Sequence, residues 1–261
     1  MFDKKKKEIL QNQGFILLNN VIEKKKIRLI KREIISVMSQ FNFNKRSHKK
    51  NKNKIDSLFE NISKNKFLRS NVYKSISHLQ SLYDLCSTPK IKKILKFLKF
   101  NSPRQLGTSI FAIEPNNENF LLLPHQDIRN NFSSKKAFNF WFPLSSGKNL
   151  GGIGIYPGSH KFGPLKHSIS KDKKKVVIES KTLNKLNKPV FIENFKEGDV
   201  LIFSPYIAHF SIKNNGKKVR WTCAMCIDDP SDSPHFIKEF NPFKLGKYIT
   251  NKTNEELRKN N

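Results

Sequence analysis

The sequence predicts a mainly β protein with flanking helices (α+β), and three observations predict it. From about residue 104 onward, short apolar runs alternate with turn residues. Before that point the apolar residues recur at helical spacing. The 261-residue chain is 37% hydrophobic and holds 22 phenylalanines, enough to fill one substantial core.

Residues 8–40 read as a short strand followed by a helix. Gly14-Phe-Ile-Leu-Leu is a compact apolar run, and Ile27, Ile30, Ile34, Ile35 and Met38 fall near helical spacing. Residues 42–56 are rich in Asn, Lys and Ser and read as an exposed loop. Residues 67–86 read as a helix. A second helix has Thr88 as its cap, Pro89 at its first position, and Ile91, Ile94, Leu95 and Leu98 as one apolar stripe. Strands are expected at 105–113, 136–142, 152–156, 189–193, 199–212 and 219–227, which suggests an all-β sandwich or barrel. The Lys- and Ser-rich 167–188 stretch reads as a surface excursion, and the polar 245–261 stretch as a fraying end. One domain spans 1–261: a strand and helical flank over 1–100, the β core over 101–230, and an extension over 231–261.

The net charge is +29. A basic surface attracts polyanions, but only eight of the 50 basic residues are arginine, the residue best suited to two-pronged phosphate and base recognition. The lysines are scattered among abundant asparagine and isoleucine, a bias expected of an A/T-rich coding sequence. A generic solvated surface is the simpler reading, and nucleic acid is not the expected partner. Three cysteines cannot build a disulfide framework and suit a reducing compartment. The apolar run after Lys4–Lys7 is too short for a signal peptide, and no segment reaches the roughly 20 apolar residues of a membrane span. The expectation is a cytoplasmic protein.

Four features of the β-rich half carry chemistry. In His125-Gln126-Asp127, side chains two apart on extended backbone point the same way, so imidazole and carboxylate can converge on one ion. His209, in the expected 199–212 strand, can supply a third ligand. Two histidines and a carboxylate on one face leave metal positions open, as non-haem iron oxygenases require. Ser211–Trp221 reads as a hairpin turning at Asn214-Asn215-Gly216, which would set Arg220 beside residues 209–211. Its guanidinium can grip a carboxylate, and Ser211 can add a hydrogen bond. Gly151-Gly152 and Pro157-Gly158-Ser159-His160 are turns that would let the chain close around a site.

These pieces resemble the phytanoyl-CoA dioxygenase family of iron(II)- and 2-oxoglutarate-dependent oxygenases. The resemblance rests on Gly14–Leu18, Pro124-His-Gln-Asp127, Trp141 before Pro143-Leu144, and Gly151–His160. It continues through Gly198–Phe203 and His209-Phe-Ser to Arg220, covering roughly residues 8–229. It implies a double-stranded β-helix (jelly-roll, cupin-like) core with the N-terminal helices packed outside. It implies that His125, Asp127 and His209 bind Fe(2+) and that Arg220 with Ser211 binds the far carboxylate of 2-oxoglutarate. Trp141 matches a position lining the cosubstrate pocket. Halogenating relatives replace the carboxylate at Asp127 with a small residue, so its presence implies oxygenation by O2, usually hydroxylation of a C–H bond of a small molecule, with release of succinate and CO2.

Blander readings stand beside these. His160 is a rival third ligand but sits in a turn, while His48, His78, His167 and His235 read as surface residues. Cys223 and Cys226 resemble a dithiol, yet residues three apart on a strand face opposite sides. Phe138, Phe140 and Phe142 read as a sheet face packed on helices. Gln105 and Ser109 are weak candidates for reaching the cosubstrate. Lids are expected in 42–66, 128–136 and 165–188, and a basic mouth of Arg129, Lys135, Lys136, Lys161 and Lys166 would suit an anionic substrate. The rival functions are a catalytically idle β-barrel binding nucleic acid or another polyanion, and an oxygenase with a macromolecular substrate.

Overall fold

Helix forms earlier than the apolar spacing predicts. In the computed structural model, which describes residues 3–41, 54–127, 134, 136–170 and 175–232, helix α1 spans Lys4–Gln13. Its sequence is so polar that Leu10 is its sole buried residue, so no apolar stripe announced it. Its ends are well specified. The Asp3 carboxylate accepts from the Lys6 amide, and Gly14 closes the helix at φ 82° with its N–H on the Leu10 carbonyl. A Cβ on Gly14 would sit 2.4 Å from His160 Nδ1 and 2.5 Å from Ile207 Cδ1. Gly14→Ala should therefore cost about 1–3 kcal/mol in a urea denaturation series.

Strand β1 (Phe15–Leu18) follows, then helix α2 (Lys24–Gln40), whose Ile27, Ile30, Ile34 and Met38 are fully buried. Burying such side chains stabilises by roughly 1.5–3 kcal/mol each as an upper bound. The expected loop ends sooner than predicted. Residues 42–53 lie outside the described residues, and Lys54–Ser63 is helix α3, with Ile55, Leu58, Phe59 and Ile62 in the core. The 54–66 stretch is thus helical layer, not a lid. The predicted 67–86 helix is broken into α4 (Lys66–Ile76), α5 (Gln80–Tyr83) and a 3-10 turn over Asp84–Ser87. Helix α6 (Pro89–Phe97) starts as predicted, although the Thr88 hydroxyl donates back to the Leu85 carbonyl rather than capping.

The β core comprises β2 (Arg104–Ile113), β3 (Ala137–Pro143), β4 (Ile153–Ile155), β5 (His167–Ile169), β6 (Val176–Ile178), β7 (Val190–Ile192), β8 (Val200–Phe203), β9 (His209–Ser211) and β10 (Arg220–Asp228). A short helix, α7 (Ser180–Leu183), separates β6 from β7. One antiparallel sheet runs β1-β8-β3-β10-β2 and a second runs β7-β4-β9, while β5 and β6 form a hairpin.

Period-two alternation decides what each face of the large sheet does. On β10, Trp221, Cys223, Met225 and Ile227 join the helical core, with Phe140 and Phe142 from β3, and Phe138 packs against it. This is the predicted role of the Phe138/Phe140/Phe142 alternation. The opposite face carries Arg220, Thr222, Ala224 and Cys226, the last three in register with Pro143, Trp141 and Asn139. Cys223 and Cys226 accordingly face opposite sides, and all three cysteines are free. Burial pushes the Cys86 thiol up to about 12 and holds the Cys223 and Cys226 thiols well above the usual thiol range.

The predicted 199–212 strand is two strands in different sheets. The chain turns at Ser204–Ala208, where Pro205 has no amide to offer a ladder and Ser204 Oγ accepts from the Tyr206 amide. That turn carries the chain from the large sheet to the small one. Among the described residues no helix is long and apolar enough to cross a membrane. The 233–261 stretch, and with it the expected fraying end and nearly all of the 231–261 extension, lies outside the described residues.

Candidate active site

The two sheets enclose a cavity of about 370 Å³, and His125, Asp127 and His209 meet in it. His125 and His209 form an isolated antiparallel bridge, each amide donating to the other's carbonyl at 3.0 Å. The Asp127 amide donates to the Pro205 carbonyl at 3.0 Å. This backbone lacing brings the rings within 4.2 Å of each other. His125 Nε2 lies 3.5 Å from Asp127 Oδ1 and His209 Nε2 lies 3.6 Å from Oδ2, and the three donor atoms all fall within 4.8 Å.

The tautomers follow from the other ring nitrogens. His125 Nδ1 is 2.7 Å from the Leu123 carbonyl and His209 Nδ1 is 3.1 Å from the Ile207 carbonyl. A carbonyl only accepts, so both Nδ1 atoms carry the proton and both Nε2 lone pairs face the shared space. Burial and the neighbouring His125 push His209 down to about 4, keeping it neutral. Burial also opposes protonation of His125, but the hydrogen bond and charge of Asp127 outweigh it and hold that ring above the ordinary 6.5. Burial works to raise Asp127, yet the two imidazoles and the Asn139 amide keep it below 3.8.

Arg220 opens β10 and is buried, but not by the predicted hairpin. Strand β9 pairs with β4, and β10 pairs with β2 and β3, so 212–219 is a crossing between sheets. The side chain spans that gap: Nη1 donates to the carbonyls of Ile212 at 2.7 Å and of Leu150 and Gly152 at 3.2 Å. Gly151, at φ 73°, leaves the space, since a Cβ there would lie 2.7 Å from Nη1. Nε is buried without a partner, and among the described residues no carboxylate reaches the guanidinium. Burial lowers its pKa to about 10, so it remains a cation at neutral pH.

Ser211 and Trp141 both line the cavity. Ser211 Oγ accepts from the Leu122 amide at 3.2 Å, leaving its proton free to donate. Trp141 packs on Phe195 with ring centroids 4.6 Å apart. Ser109 reaches the cavity too. Gln105 does not, because the register shift at Cys226/Ile227 turns it to face the Cys86 thiol. His160 lies apart from the His125, Asp127 and His209 cluster: it sits in the 3-10 turn Ser159–Phe162, with Nε2 3.0 Å from the Gln11 carbonyl.

Sequence reasoning missed three supporting side chains. Asn139 Nδ2 donates to Asp127 Oδ2 at 2.8 Å, and a polar residue between Phe138 and Phe140 was the available signal. Ser159 Oγ accepts from the Ala208 amide, fixing the approach to His209. His167, read as a surface residue, is buried beside Gln126.

The basic mouth is not there among the described residues. Lys136 is turned to Asp232 and the Lys99 carbonyl, and Lys161 and Lys166 line a separate groove. Arg129 and Lys135 lie outside the described residues. The described wall beyond the triad and Arg220 carries no other charge and includes Leu106, Phe111, Phe120, Leu122 and Phe210. Phe120 is held face-on by the buried Arg69 guanidinium, 3.4 Å from the ring centroid.

The structure is similar to that of EvdO2 from Micromonospora carbonacea var. aurantiaca complexed with 2-oxoglutarate. The TM-score is 0.61 at 13% identity, covering 88% of this chain and 91% of that one. It is similar to EctD from S. alaskensis with 2-oxoglutarate and 5-hydroxyectoine (TM-score 0.60, 14% identity, 94% and 83% covered). The epimerase SnoN in complex with Fe3+, alpha ketoglutarate and nogalamycin RO gives 0.58 at 12% identity over 85% and 81%. These likenesses establish the cupin-like double-stranded β-helix. Among curated proteins none matches the sequence. The family model for phytanoyl-CoA dioxygenase (PhyH) matches residues 10–222. With that match over most of its length, the chain belongs to the phytanoyl-CoA dioxygenase family of iron- and 2-oxoglutarate-dependent oxygenases.

Proposed function

We propose that the chain is a hydroxylase of small-molecule C–H bonds, with iron(II) held by His125, Asp127 and His209. In this reading 2-oxoglutarate is held by Arg220 and Ser211 against Trp141. The observation that carries it is a two-histidine, one-carboxylate donor set sharing a cavity with a buried guanidinium whose Nε has no hydrogen-bond partner among the described residues. The residues fit the absent groups: imidazole and carboxylate suit iron(II), and an orphaned cationic donor suits a carboxylate. When bound, iron(II) with 2-oxoglutarate and O2 supplies the oxidation: the keto acid becomes succinate and CO2, and the second oxygen atom enters the substrate C–H bond.

The chain's own task is placement. The Nδ1 hydrogen bonds fix both imidazoles with Nε2 inward, and Asn139 fixes the Asp127 carboxylate. Arg220 orients the cosubstrate from its far end, and Leu106, Phe111, Phe120 and Phe210 give the cavity an apolar side for the reacting carbon. The described wall, uncharged beyond the triad and Arg220, supports a reacting group without charge of its own. The epimerase SnoN and the carbocyclase SnoK share the fold, so the outcome on the substrate separates hydroxylation from other oxidations. Turnover of a metabolite panel under 18O2 tests it: hydroxylation places one labelled atom in the product, whereas a product without added oxygen contradicts it. The cytoplasmic placement belongs to the same proposal, supported by the three free thiols.

Metal affinity should depend on pH in a stated direction. A metal needs His125 unprotonated, and that ring's pKa lies above 6.5, whereas His209, at about 4, is already neutral. Affinity should rise with pH through the His125 value, with one proton released per ion, and level off above it. Zn(II) titrations between about pH 5.5 and 8.5 check this.

A further inference from the structure

Between the two ligands of the His125-Gln126-Asp127 segment, Gln126 points the other way and is buried. Its Nε2 donates to the Gly163 carbonyl at 2.9 Å and to the Tyr206 carbonyl at 2.5 Å. Its Oε1 accepts from the Leu165 amide at 2.8 Å. His167, also buried, has Nδ1 2.7 Å from the Leu165 carbonyl, so Nδ1 donates and Nε2 is left to accept. The Gln126 amide donates to that Nε2 at 3.4 Å. Three hydrogen bonds therefore close a ring: Leu165 N–H to Gln126, Gln126 N–H to His167, His167 N–H to Leu165.

The Tyr206 contact makes this more than local packing. Tyr206 lies in the turn that ends at His209, so one carboxamide ties the segment bearing two donors to the segment bearing the third. The Asp127–Pro205 and His125–His209 backbone bonds fix the separation of those segments. With the Ile178 amide on the Pro124 carbonyl at the segment's other edge, they act on its edges and only indirectly on its tilt about its own axis. A side chain on the face opposite the donors, anchored to three fixed backbone groups, sets that tilt. We propose that Gln126, locked by His167, is a positioning residue that sets the bite of the His125/Asp127 pair on the metal. The inference rests on the metal-site reading given above.

The test uses the full chain with Co(II) as a visible-spectrum probe, together with thermal unfolding of the metal-free protein. Gln126→Met keeps the length of the side chain and removes all three of its bonds. His167→Phe removes the ring's acceptor, and His167→Gln restores one. Gln126→Met and His167→Phe should weaken Co(II) binding by about 10- to 100-fold, the range of partners that orient metal ligands. Both should alter the shape of the Co(II) bands, and His167→Gln should recover most of each effect. Should Gln126→Met fail to fold, the His167 pair decides. Variants that unfold at lower temperature yet bind Co(II) with parental affinity and spectrum overturn the inference alone. A parental chain that binds no Co(II) overturns the metal-site reading, and this inference with it.

Discussion

Replacing His209 with alanine should reduce Fe(II)-dependent succinate formation by more than about 100-fold, because even groups that only orient a metal ligand are worth about 10- to 100-fold. His209 is the donor least replaceable by water. It is buried, its Nδ1 is committed to the Ile207 carbonyl, and among the three clustered residues it is the one carried on a strand of the second sheet. Fold damage would imitate this loss, so Asp127→Asn serves as a control that keeps shape and removes charge. It should also lose metal, since an amide is a poor substitute for a carboxylate ligand, while preserving the cavity. Metal content per folded chain is the measurement, with unfolding midpoints confirming that the variants are folded.

The second large effect is expected at Arg220. Arg220→Leu should weaken 2-oxoglutarate binding by about 30- to 5,000-fold, corresponding to the 2–5 kcal/mol lost when one partner of a buried charged pair is truncated. Metal binding should be nearly parental, because the guanidinium contacts none of the three donors among the interactions described above. Arg220→Lys should fall between, retaining charge but losing the planar fork. The variant also removes the donor shared by Leu150, Gly152 and Ile212, so some stability loss accompanies it. Cosubstrate affinity in the parental chain should be insensitive to this group's titration up to about pH 10, where its lowered pKa lies.

Residue type and spacing made His125 and Asp127 legible, because two positions on extended backbone share a face whatever the fold does around them. The family pattern pointed to His209 and Arg220, which line one cavity with His125 and Asp127, while the strand and hairpin geometry expected for them differs from the structure. The predicted 199–212 strand missed the turn at Pro205 that moves the chain between sheets. The predicted hairpin missed that β9 and β10 never pair, and Arg220 reaches its place by side-chain length. Both errors share a cause: strand periodicity is local, whereas sheet membership is decided by pairing across the chain. Helix α1 was invisible because capping, not an apolar stripe, defines it. His167 and Gln126 were unreadable because their partners are backbone groups of Gly163, Leu165 and Tyr206, which carry no sequence signature.

An anaerobic titration of the Fe(II)-loaded chain with 2-oxoglutarate, followed by visible absorption, tests the metal and cosubstrate sites together. A metal-to-cosubstrate charge-transfer band should appear and saturate at one 2-oxoglutarate per chain. That band should be absent in His209→Ala and shifted to much higher 2-oxoglutarate concentration in Arg220→Leu. A parental chain that gives no band at saturating iron(II) and 2-oxoglutarate, or a band that Arg220→Leu leaves unmoved, would contradict the proposed sites.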